Sequence, residues 1–320
     1  MYQTLDSGGD IIMVKLSTEW LSGCSGCHVA LVDLHDKILK VFEQVQPVRC
    51  PVLMDTKEYP EADIGLVEGA IRSDHDRHAL QEMRKSCKTL IAYGTCAVYG
   101  GISGAGDVHT PDEIMKKVYK ESPSTTPSEF PSKDIPVMEK GVTPIDEVVK
   151  VDIYIPGCPP HPLYIFDAIS ALLSGSAPNI SKMNVCSKCK REMVKTDVTT
   201  IKRELDGIPD ETKCLLSQGY ICMGSVTMDR CLAPCPNEGI VCTGCVGPSI
   251  NIVSEPNRDI RTEIAMRMSR LTQIPYDTIL KSIEEFSRTF YAHAMASPFI
   301  REKPTFLIKK WMKEAEGVMA

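Results

Sequence analysis

Val14-Lys15-Leu16-Ser17-Thr18-Glu19-Trp20-Leu21-Ser22-Gly23-Cys24-Ser25-Gly26-Cys27 sets the plan of the first half of the chain. Val14 to Glu19 has the length of a short first strand. The serines and glycines behind it are turn formers, so Cys24 and Cys27 fall in a loop at the strand's carboxyl end. Val29, Leu31, Val32, Leu34, Ile38, Val41 and Phe42 predict a helix from His28 to Gln44, stopped by Pro47. Two later stretches repeat this plan. A strand from Thr89 to Tyr93 runs into Gly94-Thr95-Cys96. Another, from Val151 to Ile155, runs into Pro156-Gly157-Cys158-Pro159-Pro160, followed by a helix from Leu163 to Leu173. Strands near Arg49 to Met54 and Ile64 to Val67, and a charged helix from Asp74 to Cys87, fill the interval. Pro111 to Gly141 is a polar excursion with one helix near Asp112 to Lys120, of a length usually kept for function. Apolar strands alternating with helices predict an α/β domain on a mostly parallel sheet covered on both faces. Binding groups in such sheets collect at the carboxyl ends of strands, which would gather Cys24, Cys27, Cys96 and Cys158 from remote parts of the sequence.

Fourteen cysteines in 320 residues are an excess in a composition otherwise typical of soluble proteins, 43% hydrophobic and 24% charged. Met1 to Met13 holds Asp6 and Asp10, no basic residue and no leader-like apolar run. No stretch approaches the roughly eighteen apolar residues of a membrane span. We therefore expect a cytoplasmic protein, in a compartment where cysteine groups bind metal or carry redox chemistry rather than form disulfides. The net charge of −6 argues against nucleic acid as a partner.

Four thiolates match a cubane 4Fe-4S cluster. Zinc with four cysteine ligands is the alternative, although zinc ribbons use two close CxxC knuckles and only one is present in this half. Cys24-Ser25-Gly26-Cys27 alone also fits a thioredoxin-like redox pair, which would leave Cys96 and Cys158 unused. After Gly175 the alternation stops and eight cysteines follow. Divided by chain order they form Cys186, Cys189, Cys214 and Cys222, then Cys231, Cys235, Cys242 and Cys245. Two clusters or two structural zinc ions satisfy this count. Either would supply folding energy to a region poor in large apolar residues. Cys50 and Cys87 remain as buried small hydrophobes. Trp20 would shield a cluster or fill an interface. His28 and His161, next to the cysteine loops, read as capping or surface groups, or as hydrogen-bond donors to a cluster sulphur. Glu19 and Glu68, at strand ends, read as solvated carboxylates, proton carriers or acceptors of backbone hydrogen bonds. Gly100 to Gly106 follows a cysteine rather than opening a helix, so it is discounted as a dinucleotide loop. Thr262 to Leu271 and Tyr276 to Phe290 predict helices, with Phe286, Phe290 and Tyr291 as core residues and a basic amphipathic end at Trp311 and Met312. The expected divisions are an N-terminal extension 1–13, an α/β domain 14–178, a cysteine-rich domain 179–250 and a helical segment 251–320. Three multi-cysteine sites with no nucleophile–base set suggest a path for single electrons.

The motifs Trp20-Leu21-Ser22-Gly23-Cys24-Ser25-Gly26-Cys27, Gly94-Thr95-Cys96 and Pro156-Gly157-Cys158-Pro159-Pro160 together resemble the small subunits of nickel–iron hydrogenases. Gln218-Gly219-Tyr220-Ile221-Cys222-Met223-Gly224 and Gly239-Ile240-Val241-Cys242-Thr243-Gly244-Cys245-Val246-Gly247-Pro248 are similar to the cytoplasmic F420-non-reducing (methyl-viologen-reducing) branch from methanogenic archaea. The resemblance covers residues 14 to 250. It implies a flavodoxin-like first domain, with Cys24, Cys27, Cys96 and Cys158 holding the cluster proximal to a nickel–iron centre in another subunit. It further implies a medial cluster on Cys231, Cys235, Cys242 and Cys245 and a distal one on Cys186, Cys189, Cys214 and Cys222. Many respiratory relatives have a histidine where Cys186 stands, and a three-iron medial cluster; four cysteines at each site imply cubanes here. The Cys214 to Cys222 gap departs from the respiratory pattern. The implied partners are a hydrogenase large subunit, a small 2Fe-2S protein and heterodisulfide reductase, with no activity for this chain alone. The rival family, the cluster-bearing subunit of respiratory complex I, carries one cluster on adjacent cysteines. Cys24 and Cys27 are separated by two residues, and eight further cysteines follow.

Overall fold

Leu16 and Ser17 point to opposite faces of one strand, and that alternation organises the first half of the molecule. The computed structural model describes residues 13–176, 178, 181–255, 258–285 and 292–301. Met1 to Ile12 of the expected extension, Phe286, Phe290, Tyr291, Trp311 and Met312 lie outside the described residues. The chain divides into two units, Met1–Ile180 with His293–Ser297, and Ser181–Ala292 with Pro298–Ala320.

In the first unit Val14–Trp20 (β1), Val45–Arg49 (β2), Ala62–Glu68 (β3), Cys87–Tyr93 (β5) and Ile153–Ile155 (β7) form a parallel sheet in the order β2-β1-β3-β5-β7. Counting sheet strands along the chain, this is the flavodoxin-like order, with its switch point between β1 and β3. Gly26–Val32 (α1), Asp36–Phe42 (α2) and Pro162–Leu173 (α6) cover one face, where Leu16, Leu66, Ile91 and Ile155 join Ala30, Val41 and Ile165 in one core. Asp74–Ser86 (α3) covers the other: Ser17 Oγ lies 3.5 Å from Met83 Sδ, and Gly65 leaves room for Met83 and Cys87. Ser73 caps α3 in a reciprocal box with Asp76. Cys50 and Cys87 are buried.

Several expectations need correction. The helix predicted from His28 to Gln44 is two short helices, broken around His35, whose φ is 50°. Pro47 does not stop a helix, since α2 has already ended at Phe42. It lies within β2, on the sheet edge, where a missing N–H is tolerated. That strand precedes the expected Arg49 to Met54 segment. The polar excursion contains Pro111–Tyr119 (α5) and ends in Met138–Thr143 (β6), which pairs antiparallel with Ile71–Ser73 (β4).

The second unit is irregular around its cysteines. Three 3-10 turns, Val185–Ser187, Leu216–Gln218 and Met223–Val226, are joined by isolated bridges such as Asn184 to Met228 and Thr227 to Pro248. Pro234–Asn237 (α7) and Ile250–Ser254 (α8) are short. Ile260–Leu271 (α9) and Tyr276–Glu285 (α10) pack together, and Ile264, Met268, Ile279 and Ile283 on them are buried. Asp259 caps α9 by accepting from the N–H groups of Arg261 and Thr262. Among the described residues no helix is long and apolar enough to cross a membrane.

Candidate metal centres

Because β1, β5 and β7 are parallel, their carboxyl ends lie on one edge of the sheet, and each delivers cysteine. After β1, Ser25 takes φ 59° and starts α1, which carries Cys27. After β5, Gly94 (φ 89°) starts Thr95–Tyr99 (α4), which carries Cys96. After β7, Gly157 (φ 149°) leads to Cys158 and a cis Pro159. The last two loops are bonded to each other: Thr95 N–H donates to Gly157 O at 2.8 Å, and Gly157 N–H to Thr95 Oγ1 at 2.9 Å. Tyr93 Oη donates to Cys27 O at 2.9 Å.

The four thiols lie close enough to act on one another. Burial pushes Cys27 up most, and Glu68, Cys96, Cys158 and Cys24 push it further. Burial first, then Cys158 and Cys24, raise Cys96 to about 11 against a hydrogen bond from the Ile102 N–H. Burial and Cys24 raise Cys158. Thiols crowded in this way resist ionisation unless cations are present. Glycine makes the space: a Cβ on Gly94 would come within 2.2 Å of Cys27 Sγ, and one on Gly101 within 2.3 Å of Cys96 Sγ. Gly101, discounted as part of a nucleotide loop, thus has a close-approach role beside Cys96.

Behind Cys27 lies a polar set that is buried where solvated or surface groups are one expectation, and its carboxylates accept backbone hydrogen bonds, which is the other. Glu68 is buried, not solvated, and accepts from the His28 backbone N–H at 2.7 Å and contacts His28 Nδ1 at 2.6 Å. His28 is buried too, with Nε2 2.9 Å from Thr18 Oγ1. Glu19 is also buried, paired with Arg49 at 2.8 Å and accepting from Tyr59 Oη at 2.7 Å. Arg49, Tyr59 and Thr18 were missed in the sequence; the available signal was a carboxylate ending each of two apolar strands. His161 does cap, accepting from the Leu163 N–H at the start of α6. Trp20 is partly exposed.

In the second unit a cavity is lined by Cys186, Cys189, Cys214 and Cys222, together with Arg191, Gly224 and Ser225. Burial raises Cys186 to about 12, with Cys222, Cys214 and Cys189 adding to it. Burial also raises Cys222 to about 11, opposed by the N–H groups of Cys242 and Gly224. Cys231 lies beside Asp229 and Cys235. Cys242 lies beside Cys222 and Cys245 and is bonded to Thr227. Among the described residues no three His, Cys, Asp or Glu side chains form a group for a single metal ion. In a cubane each thiolate binds a different iron, so its ligands stand around a hollow rather than on one point. All-thiol sets, close-approach glycines and N–H groups directed at sulphur fit that group.

A family model described as NADH ubiquinone oxidoreductase, 20 Kd subunit, matches residues 24–172, ending before the eight later cysteines. The chain is 45% identical over 237 residues, 74% of its length and 82% of the relative's, to a vhu subunit of the F420-non-reducing hydrogenase of Methanocaldococcus jannaschii. It is 37% identical over 299 residues, 91% of its length and 97% of the relative's, to the corresponding subunit of the F420-non-reducing hydrogenase of Methanothermobacter thermautotrophicus. A chain from an NAD+-reducing nickel–iron hydrogenase in the H2-reduced state superposes with a TM-score of 0.52 at 32% identity. It covers 53% of this chain and 96% of that one.

Proposed function

Since the chain belongs to the family of F420-non-reducing hydrogenase small subunits, a branch of the nickel–iron hydrogenases, we propose that it relays electrons through three 4Fe-4S clusters. Electron transfer is its general role, as an accessory subunit without the catalytic centre. Cys24, Cys27, Cys96 and Cys158 would hold the proximal cluster, Cys231, Cys235, Cys242 and Cys245 the medial one, and Cys186, Cys189, Cys214 and Cys222 the distal one. When bound, such clusters take up and release one electron at a time. The protein's own part is to supply thiolates, aim N–H groups at sulphur and limit water. The observation that carries this reading is the meeting of four thiols, Cys24 exposed and the other three buried or half-buried, at the ends of three parallel strands.

Electrons would enter from a large subunit that oxidises dihydrogen at a nickel–iron centre. They would leave for a small 2Fe-2S subunit and a heterodisulfide reductase complex, all in the cytoplasm. Leu205 and Ile208 support a further protein partner: they are 93% and 97% exposed, on a turn held by Tyr220 Oη donating to Asp206 O.

The test is an anaerobic preparation with its partners. It should contain about twelve irons and matching acid-labile sulphide in this chain. Cys158→Ala should block reduction by dihydrogen while the remaining clusters still respond to dithionite. Zinc without sulphide would reject the cluster reading, and unchanged dihydrogen-linked reduction in the variant would reject the proximal assignment.

A further inference from the structure

Ser225 follows Cys222 by three residues, in the turn Met223–Val226. It is 6% exposed. Its Oγ has no hydrogen-bond partner among the described residues. A buried hydroxyl left without an acceptor costs about 1–3 kcal/mol, so a native serine here calls for one. The nearby Thr227 hydroxyl shows the ordinary solution, donating to Met223 O at 2.7 Å. Ser225 instead lines the cavity bounded by Cys186, Cys189, Cys214 and Cys222. The thiols are near this backbone: a Cβ on the preceding Gly224 would lie 3.4 Å from Cys186 Sγ and 3.7 Å from Cys222 Sγ.

We propose that the Ser225 hydroxyl donates a hydrogen bond to a sulphur atom of the cluster in this cavity and raises that cluster's reduction potential. The inference rests on the reading that these four cysteines hold a 4Fe-4S cluster. Reduction adds negative charge to the cluster, and a donor directed at sulphur stabilises the reduced form more than the oxidised one. Ser225 is thus a positioning and tuning residue rather than a ligand.

The experiment is a redox titration of the full complex followed by electron paramagnetic resonance, on wild type, Ser225→Ala and Ser225→Thr. Ser225→Ala should shift one cluster to lower potential, by roughly tenfold in its one-electron equilibrium or about 59 mV. Ser225→Thr, which keeps the hydroxyl, should remain near wild type. A strongly coupled exchangeable proton, seen by electron–nuclear double resonance in wild type, should disappear in the alanine variant. If alanine prevents assembly, Ser225→Cys keeps the size with a weaker donor and should give an intermediate shift. Unchanged potential and proton coupling in an assembled variant would overturn the inference. Wild-type protein with iron for the first unit only would instead overturn the cluster reading beneath it.

Discussion

Glu68 is the residue whose burial most changes the picture of the first site. Its carboxylate ends an apolar strand, yet it is 2% exposed and takes two contacts from His28, one from the backbone and one from the ring. This fixes the residue directly after Cys27, so the thiol's position depends on a side chain forty residues away. Glu68→Ala would leave the buried backbone N–H of His28 without its acceptor and its ring Nδ1 without its partner, at about 1–3 kcal/mol each. We expect a loss of roughly 2–6 kcal/mol in anaerobic denaturant unfolding, and a smaller loss for Glu68→Gln, which keeps one oxygen. Equal stability of Glu68→Ala and wild type would show that this contact does not hold the loop.

At the scale of elements, the repeating strand–loop–helix units were legible because β3 and β5 hold apolar runs, Ile64 to Val67 and Leu90 to Ala92, and cysteine loops follow β1 and β5. The break at His35 and the shift of β2 onto Pro47 were not. Helical spacing continues across the break, and only the edge position of β2 makes its proline acceptable. The pairing of β4 with β6 spans sixty-odd residues and has no local signal. Near β7, Asp152 is a further long-range tie: it accepts from the Leu90 N–H at 2.9 Å and from Arg84 at 2.7 Å. The Leu90 N–H, above all, holds its carboxyl below the usual range, with Arg84 helping against burial. A depressed carboxyl adds stability above its unfolded value, about 3.9, and loses it only as pH falls through the lower folded value. Asp152→Asn should therefore lower stability by roughly 1 kcal/mol, equally at pH 7 and pH 5. A difference that already shrinks between those two pH values would contradict the assignment.

Across the whole molecule the two units rest on different forces. The first has a five-stranded ladder and an apolar core joining Leu16, Leu66, Ile91 and Ile165. The cysteine-bearing part of the second has 3-10 turns and isolated bridges in place of a ladder. Each bridge contributes little cooperativity, so bonds from thiolate to iron would carry much of its folding free energy. The sequence showed this contrast in the end of helix–strand alternation at Gly175, though it could not show which turns face which thiols. With the proposed clusters in place, anaerobic chelation of their iron in the full chain should therefore act unevenly. Hydrogen exchange should rise across 183–247, while β1, β3 and β5 keep their protected amides. The helices α9 and α10, with their own buried isoleucines and Met268, should respond less than the turns. Uniform loss in both units would mean that the clusters stabilise the chain as one cooperative body. Full protection of 183–247 after iron removal would mean that protein packing alone holds the cysteine region.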